Sequence, residues 1–260
     1  MIRALVPITV CVIARDEAEN LQDLLPTLRW GDELLVLVDD RTNDDSAARA
    51  RPLADRVEKR AFASFPAFRN MALDIAREPW VFFVDADERV SADLAAEARA
   101  AVSTSERSLA AGEAGAPVGY WVPRHNIILG QLIRGGGWAP DHQLRLLRRD
   151  KARYDESRVV HETVVLDGPA GYLAQHLLHL NYTSWPEFIA RQRGYTALEA
   201  QALRSAGVTF ARRALVGQPL REFVRRYLGL GGWKDGAVGL LLSLAMAYYA
   251  GERVRLTGWR

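Results

Sequence analysis

The chain has 260 residues, of which 49% are apolar and 25% are charged, and its formal net charge is +2. This composition is that of a globular protein and excludes an intrinsically disordered one. The single cysteine, Cys11, excludes a disulfide framework and favours a reducing compartment. Its apolar neighbours predict a buried side chain rather than a nucleophile.

The charge is unevenly distributed along the chain. Residues 1–190 contain 22 Lys/Arg and 28 Asp/Glu, whereas residues 191–260 contain 12 and 4. A basic C-terminal part suggests contact with an anionic surface such as a membrane, and the alternative is a solvated basic helix face. The first 17 residues lack the layout of a signal peptide, which favours a cytoplasmic protein.

Strands and helices alternate in the first hundred residues. Apolar runs predict strands at 7–14, 32–40, 55–61 and 80–88, and helical spacing predicts helices at 17–30, 44–54, 64–79 and 91–102. Ser91 is the expected N-cap of the last helix. Strands that are apolar throughout indicate a parallel sheet covered by helices on both faces. The small and polar residues 103–119 predict a loop or flexible insertion.

The second part of the chain is less regular. Short strands separated by Gly-rich turns are expected up to residue 183, and helices from residue 184 onward. Residues 236–251 carry no charge, but a bilayer span needs about 20 residues, so a buried or interfacial helix is favoured. The prediction is an α/β domain at 1–183 followed by a helical extension at 184–260.

Carboxylates stand at the ends of three predicted strands. Asp85, Asp87 and Glu88 end "VFFVDADE", Asp39 ends the second strand, and Asp16 follows the first. Ligands of parallel sheets bind at the carboxyl ends of the strands. Carboxylates crowded there favour a hard cation such as Mg²⁺ or Mn²⁺. The alternative is a set of solvated acids that begin turns.

The motifs "TVCVIARDEAENL" (9–21), "LLVLVDDRTNDDS" (34–46), "FRNMALDIA" (68–76), "WVFFVDADE" (80–88) and the "HE" of "VVHETVV" (159–165) resemble those of the family 2 glycosyltransferases, which have the GT-A fold. Together with "GGWAPDHQLRLLRR" (136–149) and "LHLNYTSWPEFIARQRGYTALEA" (178–200), they are similar to the bacterial subgroup that contains the lipopolysaccharide-core β-1,4-glucosyltransferases. The resemblance implies that residues 1–102 form the nucleotide-sugar half of the catalytic domain and residues 118–183 the acceptor half.

The same resemblance implies roles for individual residues. The nucleotide-binding positions are Ala14, Arg15, Asp16, Glu17, Asp39, Arg69, Asn70 and Asp85. The metal positions are Asp85, Asp87 and His179, with Asp87 as the favoured direct ligand. Beyond these, the candidate sugar or acceptor positions are Glu88, Trp138, Asp141, Arg145 and His161, and Arg145 is also a candidate contact of the diphosphate. Packing for Trp138 and a structural role for His161 remain alternatives. "VDDRT" departs from the common "VDDGS", which leaves the conformation of the loop after Asp40 open.

The implied reaction is a metal-dependent, inverting transfer from a nucleotide-sugar, with UDP-glucose as the suggested donor and a glycan or lipid-linked acceptor. The metal would neutralise the departing diphosphate, and a carboxylate would accept the proton of the acceptor hydroxyl. Glu162 is the favoured base and Asp141 the second candidate. Glu162 would otherwise pair with Arg145 or Arg148.

The arginines, aromatics and long apolar helix of the C-terminal part favour peripheral attachment to the inner face of the plasma membrane. A homodimer contact is the alternative for this surface. Two other functions remain open. A nucleotidyltransferase would be expected to carry a Gly-rich loop after its first strand, where "ARDEAEN" has no glycine. A non-catalytic sugar-nucleotide-binding protein is the other. Nucleic-acid binding is disfavoured because an acidic cleft repels phosphates.

Overall fold

The computed structural model describes residues 6–157 and 163–259. The strands are β1 Ile8–Ala14, β2 Glu33–Asp39, β3 Arg56–Arg60, β4 Trp80–Asp85, β5 Glu88–Arg89, β6 Gly119–Ile128, β7 Gln131–Leu132, β8 His142–Arg148, β9 Ala152–Tyr154, β10 Val164–Leu166, β11 Ala170–Tyr172 and β12 Leu177–Tyr182. The helices are α1 Ala18–Leu24, α2 Ser46–Ala50, α3 Phe65–Ile75, α4 Ala92–Ala110, α5 Trp185–Ser205, α6 Ala214–Val224 and α7 Gly236–Thr257.

The chain divides into two compact units. The first contains the residues up to Arg124 together with His142–Leu178, and the second contains His125–Asp141 and the residues from His179 onward. This division places His125–Asp141 in one unit with the C-terminal helices. The predicted boundary between residues 183 and 184 divides the chain differently and stays a prediction.

The first unit is built on a sheet with the strand order β3-β2-β1-β4-β8-β6. The four strands from β3 to β4 are parallel, and β8 is antiparallel to both of its neighbours. Alternate residues of each strand enter opposite cores: Val10 and Phe82 pack in one, and Cys11 and Phe83 in the other. The strands β1, β2 and β4 are buried on both faces and are therefore almost entirely apolar, whereas the edge strand β3 is charged and partly exposed. The predicted α/β fold class is confirmed.

Two helix predictions need correction. The predicted helix at 17–30 ends as an α-helix at Leu24 and continues as a 3₁₀ turn over Leu25–Leu28, since Pro26 lacks an N–H and clashes with the preceding turn. The predicted loop at 103–119 is helical as far as Ala110. Its serines are held by the helix and its neighbours: Ser103 donates to the Arg99 carbonyl, and the Ser105 hydroxyl lies 2.7 Å from that of Tyr120.

The predicted N-cap of α4 is confirmed. Ser91 caps α4 by accepting a hydrogen bond from the backbone N–H of Leu94 at 3.1 Å, and Ser64 caps α3 in the same way. Each cap satisfies an N–H that has no partner within the helix.

The second unit has its own apolar core, which includes Phe188 of α5 with Leu242 and Tyr249 of α7. Helices α5 and α6 both pack against α7. The uncharged part of α7 buries Leu242, Ala247 and Ala250 on one face. It leaves Leu241 and Leu244 exposed on the other. Among the helices of the described ranges, none is long and apolar enough to cross a bilayer.

Candidate nucleotide-sugar and acceptor sites

The first candidate site lies at the carboxyl ends of β1, β2 and β4 in the first unit. After Ala14 the chain turns through Asp16, which adopts a left-handed φ of 55° that aspartate tolerates better than most residues. The Asp16 carboxylate accepts a hydrogen bond from the backbone N–H of Asn43 at 2.7 Å. Arg15 is half-exposed, and its Nε lies 3.9 Å from the Asp39 carboxylate. The predicted turn therefore joins the ends of two neighbouring strands.

A pocket with space for about 510 Å³ opens beside this turn. It is lined by Asp16, Glu17, Ala18, Glu19, Asn20, Asn43, Asp44, Asp45 and Arg49. The backbone N–H groups of Glu17 and Ala18 are already used, by Ser46 at 2.8 Å and Asp44 at 3.0 Å. Acidic walls repel phosphates and offer acceptors to hydroxyl and amine groups, so the pocket suits the uncharged parts of a nucleotide better than its diphosphate.

Asp39 is almost fully buried and is held by the residue that departs from the common motif. The Arg41 guanidinium donates to both Asp39 oxygens, and the Arg41 backbone N–H donates to one of them at 2.9 Å. These hydrogen bonds are the main reason why the pKa of Asp39 is lowered to about 2. Burial acts in the opposite direction and is outweighed. Arg41 has no left-handed backbone conformation. The loop therefore needs no glycine, because an ion pair fixes it instead.

The end of β4 carries a buried ionic network. Arg145 donates to both oxygens of Asp85 and, at 3.0 Å, to Glu88. Arg69 donates to Asp85 at 2.9 Å, and Arg124 to Glu88 at 3.3 Å. Glu88 also accepts the backbone N–H of Asp85, which closes the turn that follows the strand. Two carboxylates predicted to bind ligands are thus held by arginines within the protein.

The charges in this network decide the state of Asp85. Burial alone raises the pKa of this carboxyl, but the charges of Arg145 and Arg69 and their hydrogen bonds outweigh it. The net result is a pKa well below the usual range. Asp85 is therefore ionised and its oxygens are engaged. Within the ranges that the structure describes, no group of three or more His, Cys, Asp or Glu side chains is arranged to hold a metal ion.

The Asn70 side chain forms hydrogen bonds within the protein. Its amide donates to the Tyr154 carbonyl at 3.0 Å and to Glu156 at 2.8 Å, and it accepts the Tyr154 backbone N–H at 2.8 Å. These bonds tie α3 to β9. Beside it, the Arg69 guanidinium lies over the rings of Phe83 and Tyr154. Both residues sit next to the strand ends, and their assignment to the nucleotide stays a prediction.

The second candidate site lies in the second unit and is centred on Asn126, which is 3% exposed. The Asn126 amide donates to the Trp138 carbonyl at 2.8 Å and to the Asp141 carboxylate at 3.1 Å. Its oxygen lies 2.7 Å from His179 Nδ1 and accepts from Asn181 at 3.1 Å. Three residues that the resemblance singled out separately are therefore connected through one asparagine.

This arrangement assigns the protons of His179. The Trp138 carbonyl accepts only, so the nitrogen of the Asn126 amide faces it and the amide oxygen faces the imidazole. His179 Nδ1 must then carry a hydrogen, and in the neutral ring Nε2 has the lone pair.

Some predicted residues are placed without a clear role, and others fall outside the described ranges. The indole N–H of Trp138 is buried and has no hydrogen-bond partner among the residues that the structure describes. Glu162 and His161 lie outside the described residues. The two arginines considered as alternative partners of Glu162 form ion pairs with other carboxylates. Arg145 pairs with Asp85 and Glu88, and Arg148 pairs with Glu106 and Asp150.

Sequence reasoning missed Arg41, Arg124 and Asn126. The signal for Asn126 was available, since a single amide in "RHNIILG" precedes an apolar run that continues the strand. For Arg41 the signal was the departure of "VDDRT" from "VDDGS", whereas Arg124 offered none, because arginines are frequent throughout the chain.

Comparison with known proteins supports the resemblance. No protein-family model matches the chain. The chain is 28% identical over 255 residues to the lipopolysaccharide core biosynthesis glycosyltransferase LpsC of Rhizobium meliloti. This alignment covers 94% of this chain and 89% of LpsC. The chain is 26% identical over 193 residues to a TPR repeat-containing protein of Synechococcus elongatus, covering 74% of this chain and 43% of that protein.

Among solved structures, the chain is similar to S. aureus TarS, with 13% identity and a TM-score of 0.45 over 97% of this chain and half of the TarS chain. TarS 1–349 in complex with UDP matches with a TM-score of 0.45 and 12% identity, and the complex with UDP-GlcNAc with 0.44 and 13%. These matches cover 89% and 84% of the respective TarS chains. Such scores indicate a partial likeness only. The resemblance that the motifs indicated, to glycosyltransferases of lipopolysaccharide core biosynthesis, is confirmed by the similarity to LpsC over nearly the whole chain.

Proposed function

We propose that this chain is an inverting, metal-dependent glycosyltransferase that moves a hexose from a nucleotide-sugar to a glycan or lipid-linked acceptor in cell-envelope polysaccharide synthesis. The observation that carries the proposal is the similarity to LpsC over 94% of the chain. Three of the motifs on which the resemblance was based, "TVCVIARDEAENL", "LLVLVDDRTNDDS" and "WVFFVDADE", have their polar residues at the carboxyl ends of parallel strands, where such sheets bind ligands. UDP-glucose is the proposed donor.

On the donor side, the turn from Ala14 to Glu17 and the buried Asp39 would bind the base and ribose. Asp39 is ionised and oriented by Arg41, so it offers a preorganised acceptor. Arg69 and Arg145 flank Asp85 and would add positive charge near the departing diphosphate. In this arrangement Asp85 orients the two arginines, which is a different role from direct metal binding.

The residues present fit a divalent cation held mainly by one side chain of the motif. Asp85 and Glu88 are engaged by arginines. Asp87, which is half-buried and lies two residues after β4, is the carboxylate that the resemblance favours as the direct ligand. Mg²⁺ is commonly bound by one or two carboxylates plus substrate phosphates, which such a site satisfies. Mg²⁺ or Mn²⁺ bound there would neutralise charge on the diphosphate. His179 belongs to the second unit, and its assignment as a metal position stays a prediction.

The acceptor hydroxyl must lose its proton to a carboxylate as it attacks the anomeric carbon, and a single displacement inverts that centre. Glu162 remains the favoured base. Asp141 is the second candidate and is oriented by the Asn126 amide at 3.1 Å. The half-buried Trp138, which is connected to Asp141 through Asn126, would present its indole to a sugar face.

A thermal-shift screen tests the proposal. The chain is expected to be stabilised by a UDP-sugar in the presence of Mn²⁺, with less stabilisation without it, because ligands that bind only the folded state raise the melting temperature. Asp87→Asn should remove the Mn²⁺-dependent part. Asp23→Asn, an exposed carboxylate on α1, is the matched control. Absence of stabilisation by any UDP- or GDP-linked donor would contradict the proposal. Stabilisation without transfer or hydrolysis would favour the sugar-nucleotide-binding alternative.

We also propose peripheral association with the inner face of the plasma membrane. Helix α6 exposes Val216, Leu220 and Val224, which are four residues apart and so form one stripe. The exposed Arg221 and Arg225 border this stripe. An apolar stripe beside arginines suits the boundary between acyl chains and anionic headgroups.

Vesicle sedimentation tests this association. The double variant Leu220→Ser with Val224→Ser should bind phosphatidylglycerol vesicles more weakly than the wild type, and Gly194→Ala on α5 is the control. Equal binding would exclude this stripe as the attachment surface. Loss of a dimer in the double variant, with vesicle binding unchanged, would assign the stripe to a second copy of the chain.

A further inference from the structure

The Gly-rich loop Arg134–Trp138 is held by a carboxylate that lies about a hundred residues later in the chain. Asp235 is 4% exposed. Its two oxygens accept the backbone N–H groups of Arg134 at 2.8 Å and Gly135 at 2.9 Å. The Asp235 carbonyl also accepts from the Gln131 side chain at 3.0 Å. A buried carboxylate that accepts two backbone N–H groups makes strong, charge-assisted hydrogen bonds and fixes the direction of both peptides.

The loop lies directly against the chain that connects α6 to α7. The backbone N–H of Gly136 donates to the Leu230 carbonyl at 2.9 Å. A Cβ added at Gly135 would meet the carbonyls of both Gly231 and Leu230, the latter at 2.9 Å. Gly135 is therefore required by a close backbone approach rather than by its own conformation. The loop cannot move away from the α6–α7 connection without breaking these contacts.

Arg226 secures the other side of the loop. Its guanidinium donates to the Gly136 carbonyl at 2.6 Å and lies over the Trp138 ring, 5.0 Å from the centroid. Glu222 accepts from Arg226 Nε at 2.6 Å and so fixes the guanidinium plane. Burial lowers the pKa of Arg226, an effect that the neighbouring Glu222 opposes. A guanidinium stacked on an indole restricts the orientation of the ring.

The held loop leads straight to the candidate acceptor site. The Trp138 carbonyl receives the Asn126 amide at 2.8 Å, and the same amide donates to Asp141 at 3.1 Å. Asp235 and Arg226 contact the loop, and they act on Asp141 and Asn126 through it.

We propose that Asp235 and Arg226 are positioning residues of the acceptor site, so that the C-terminal helices shape the loop bearing Trp138 and Asp141. The inference rests on the proposed glycosyltransferase function for its chemical meaning. It assigns to the basic, apolar C-terminal part a task separate from membrane attachment. It also means that removing residues 208–260 would disturb the acceptor site itself.

The inference predicts a separation of acceptor from donor effects. The donor positions named above belong to the first unit, whereas the loop, Asp235 and Arg226 belong to the second. Variants of the two positioning residues should therefore leave donor affinity unchanged. They should raise the KM for the acceptor and lower kcat. General loss of folded protein would instead weaken donor binding as well.

The contacts of Asp235, Arg226 and the α6–α7 connection with the loop form a clamp. Hydrogen exchange of the full-length chain, read by mass spectrometry on peptides covering residues 131–141, tests this clamp without relying on activity. Asp235→Asn should speed exchange of the Arg134 and Gly135 amides by about tenfold or more, the factor expected for loss of a charge-assisted hydrogen bond. Gly135→Ala should act in the same direction. Gly194→Ala is its control, because a Cβ there meets nothing within 4 Å. Unchanged exchange in both loop variants would overturn the clamp.

Steady-state kinetics test its consequence. Arg226→Met keeps the aliphatic stem but removes the bond to Gly136 and the stacking on Trp138. Arg255→Met is the matched control, since Arg255 also pairs with a glutamate three residues away, Glu252, but is exposed and contacts no part of the loop. We expect kcat/KM for the acceptor to fall about tenfold in Arg226→Met, as for one lost hydrogen bond to a charged group, with donor Kd unchanged. If the wild type is active and kcat/KM falls no further in Arg226→Met than in the control, the positioning role is overturned.

If the wild type shows no transfer but hydrogen exchange confirms the contacts of the loop, the result counts against the proposed function and not against these contacts.

Discussion

Replacing Arg145 by Met tests the ionic network at the end of β4. The guanidinium is 5% exposed and contacts Asp85 and Glu88, of which Glu88 is fully buried. Methionine fills much of the same space without charge. The variant therefore leaves a buried carboxylate with one arginine fewer and has little effect on packing.

The expected cost is large for a single side chain. Removing one partner of a buried ion pair costs about 3–5 kcal/mol, and we take about 3 kcal/mol because Asp85 is partly exposed and keeps Arg69. For a chain of this size, about 2–4 °C in Tm per kcal/mol gives a decrease of about 6–12 °C. Arg148→Met is the control. Its pairs with Glu106 and Asp150 are partly exposed, so a loss of about 1 kcal/mol or less is expected.

Urea unfolding at several pH values is the assay. The arginines hold the pKa of Asp85 below its ordinary value of 3.8. Asp85 therefore contributes stability that is present above this pH and is lost as the pH falls through the folded-state pKa. In Arg145→Met the depression is smaller, so the two proteins should differ most near neutral pH and should begin to converge as the pH falls below about 4. A difference that is absent at neutral pH, or that grows on acidification, would refute the reasoning.

Three further predictions follow from the described residues and the sequence. Glu162→Gln should leave donor binding intact and reduce transfer by about a hundredfold or more. If transfer stays near the wild-type rate while Asp141→Asn abolishes it, Asp141 is the base. Arg41→Gln should raise the pKa of Asp39 from about 2 towards its ordinary 3.8, measured by carbon NMR titration. The stability that Asp39 contributes above pH 3.8 would then be lost at a higher pH during acidification, and an unchanged pKa would contradict the ion pair. Because burial raises the pKa of Cys11 to about 12, the thiol should resist iodoacetamide in the folded protein and react on unfolding. Rapid labelling in native buffer would contradict the buried position.

Local patterns predicted the alternating strands and helices at the start of the first unit. An apolar run ending in carboxylates predicted β4 and its place in a covered parallel sheet, because every residue of such a strand meets a core on one face or the other. Ser91 predicted the start of α4, since an N-cap depends only on neighbouring residues. The extent of α4 was misjudged, because the small polar residues after Val102 resemble a loop in composition. In the fold they are held by bonds such as that between Ser105 and Tyr120.

The sequence by itself determined which strand ends carry acids, which family they resemble, and that the C-terminal part is helical, basic and apolar. Only the tertiary structure decided what each acid contacts. Asp85 meets Arg145 across 60 residues, and Asp235 meets the Gly135 loop across 100 residues. Pairings at such separations depend on how strands and helices are placed in space, which no local periodicity encodes. For this reason the motif predicted a site, whereas the partners of its side chains had to come from the fold.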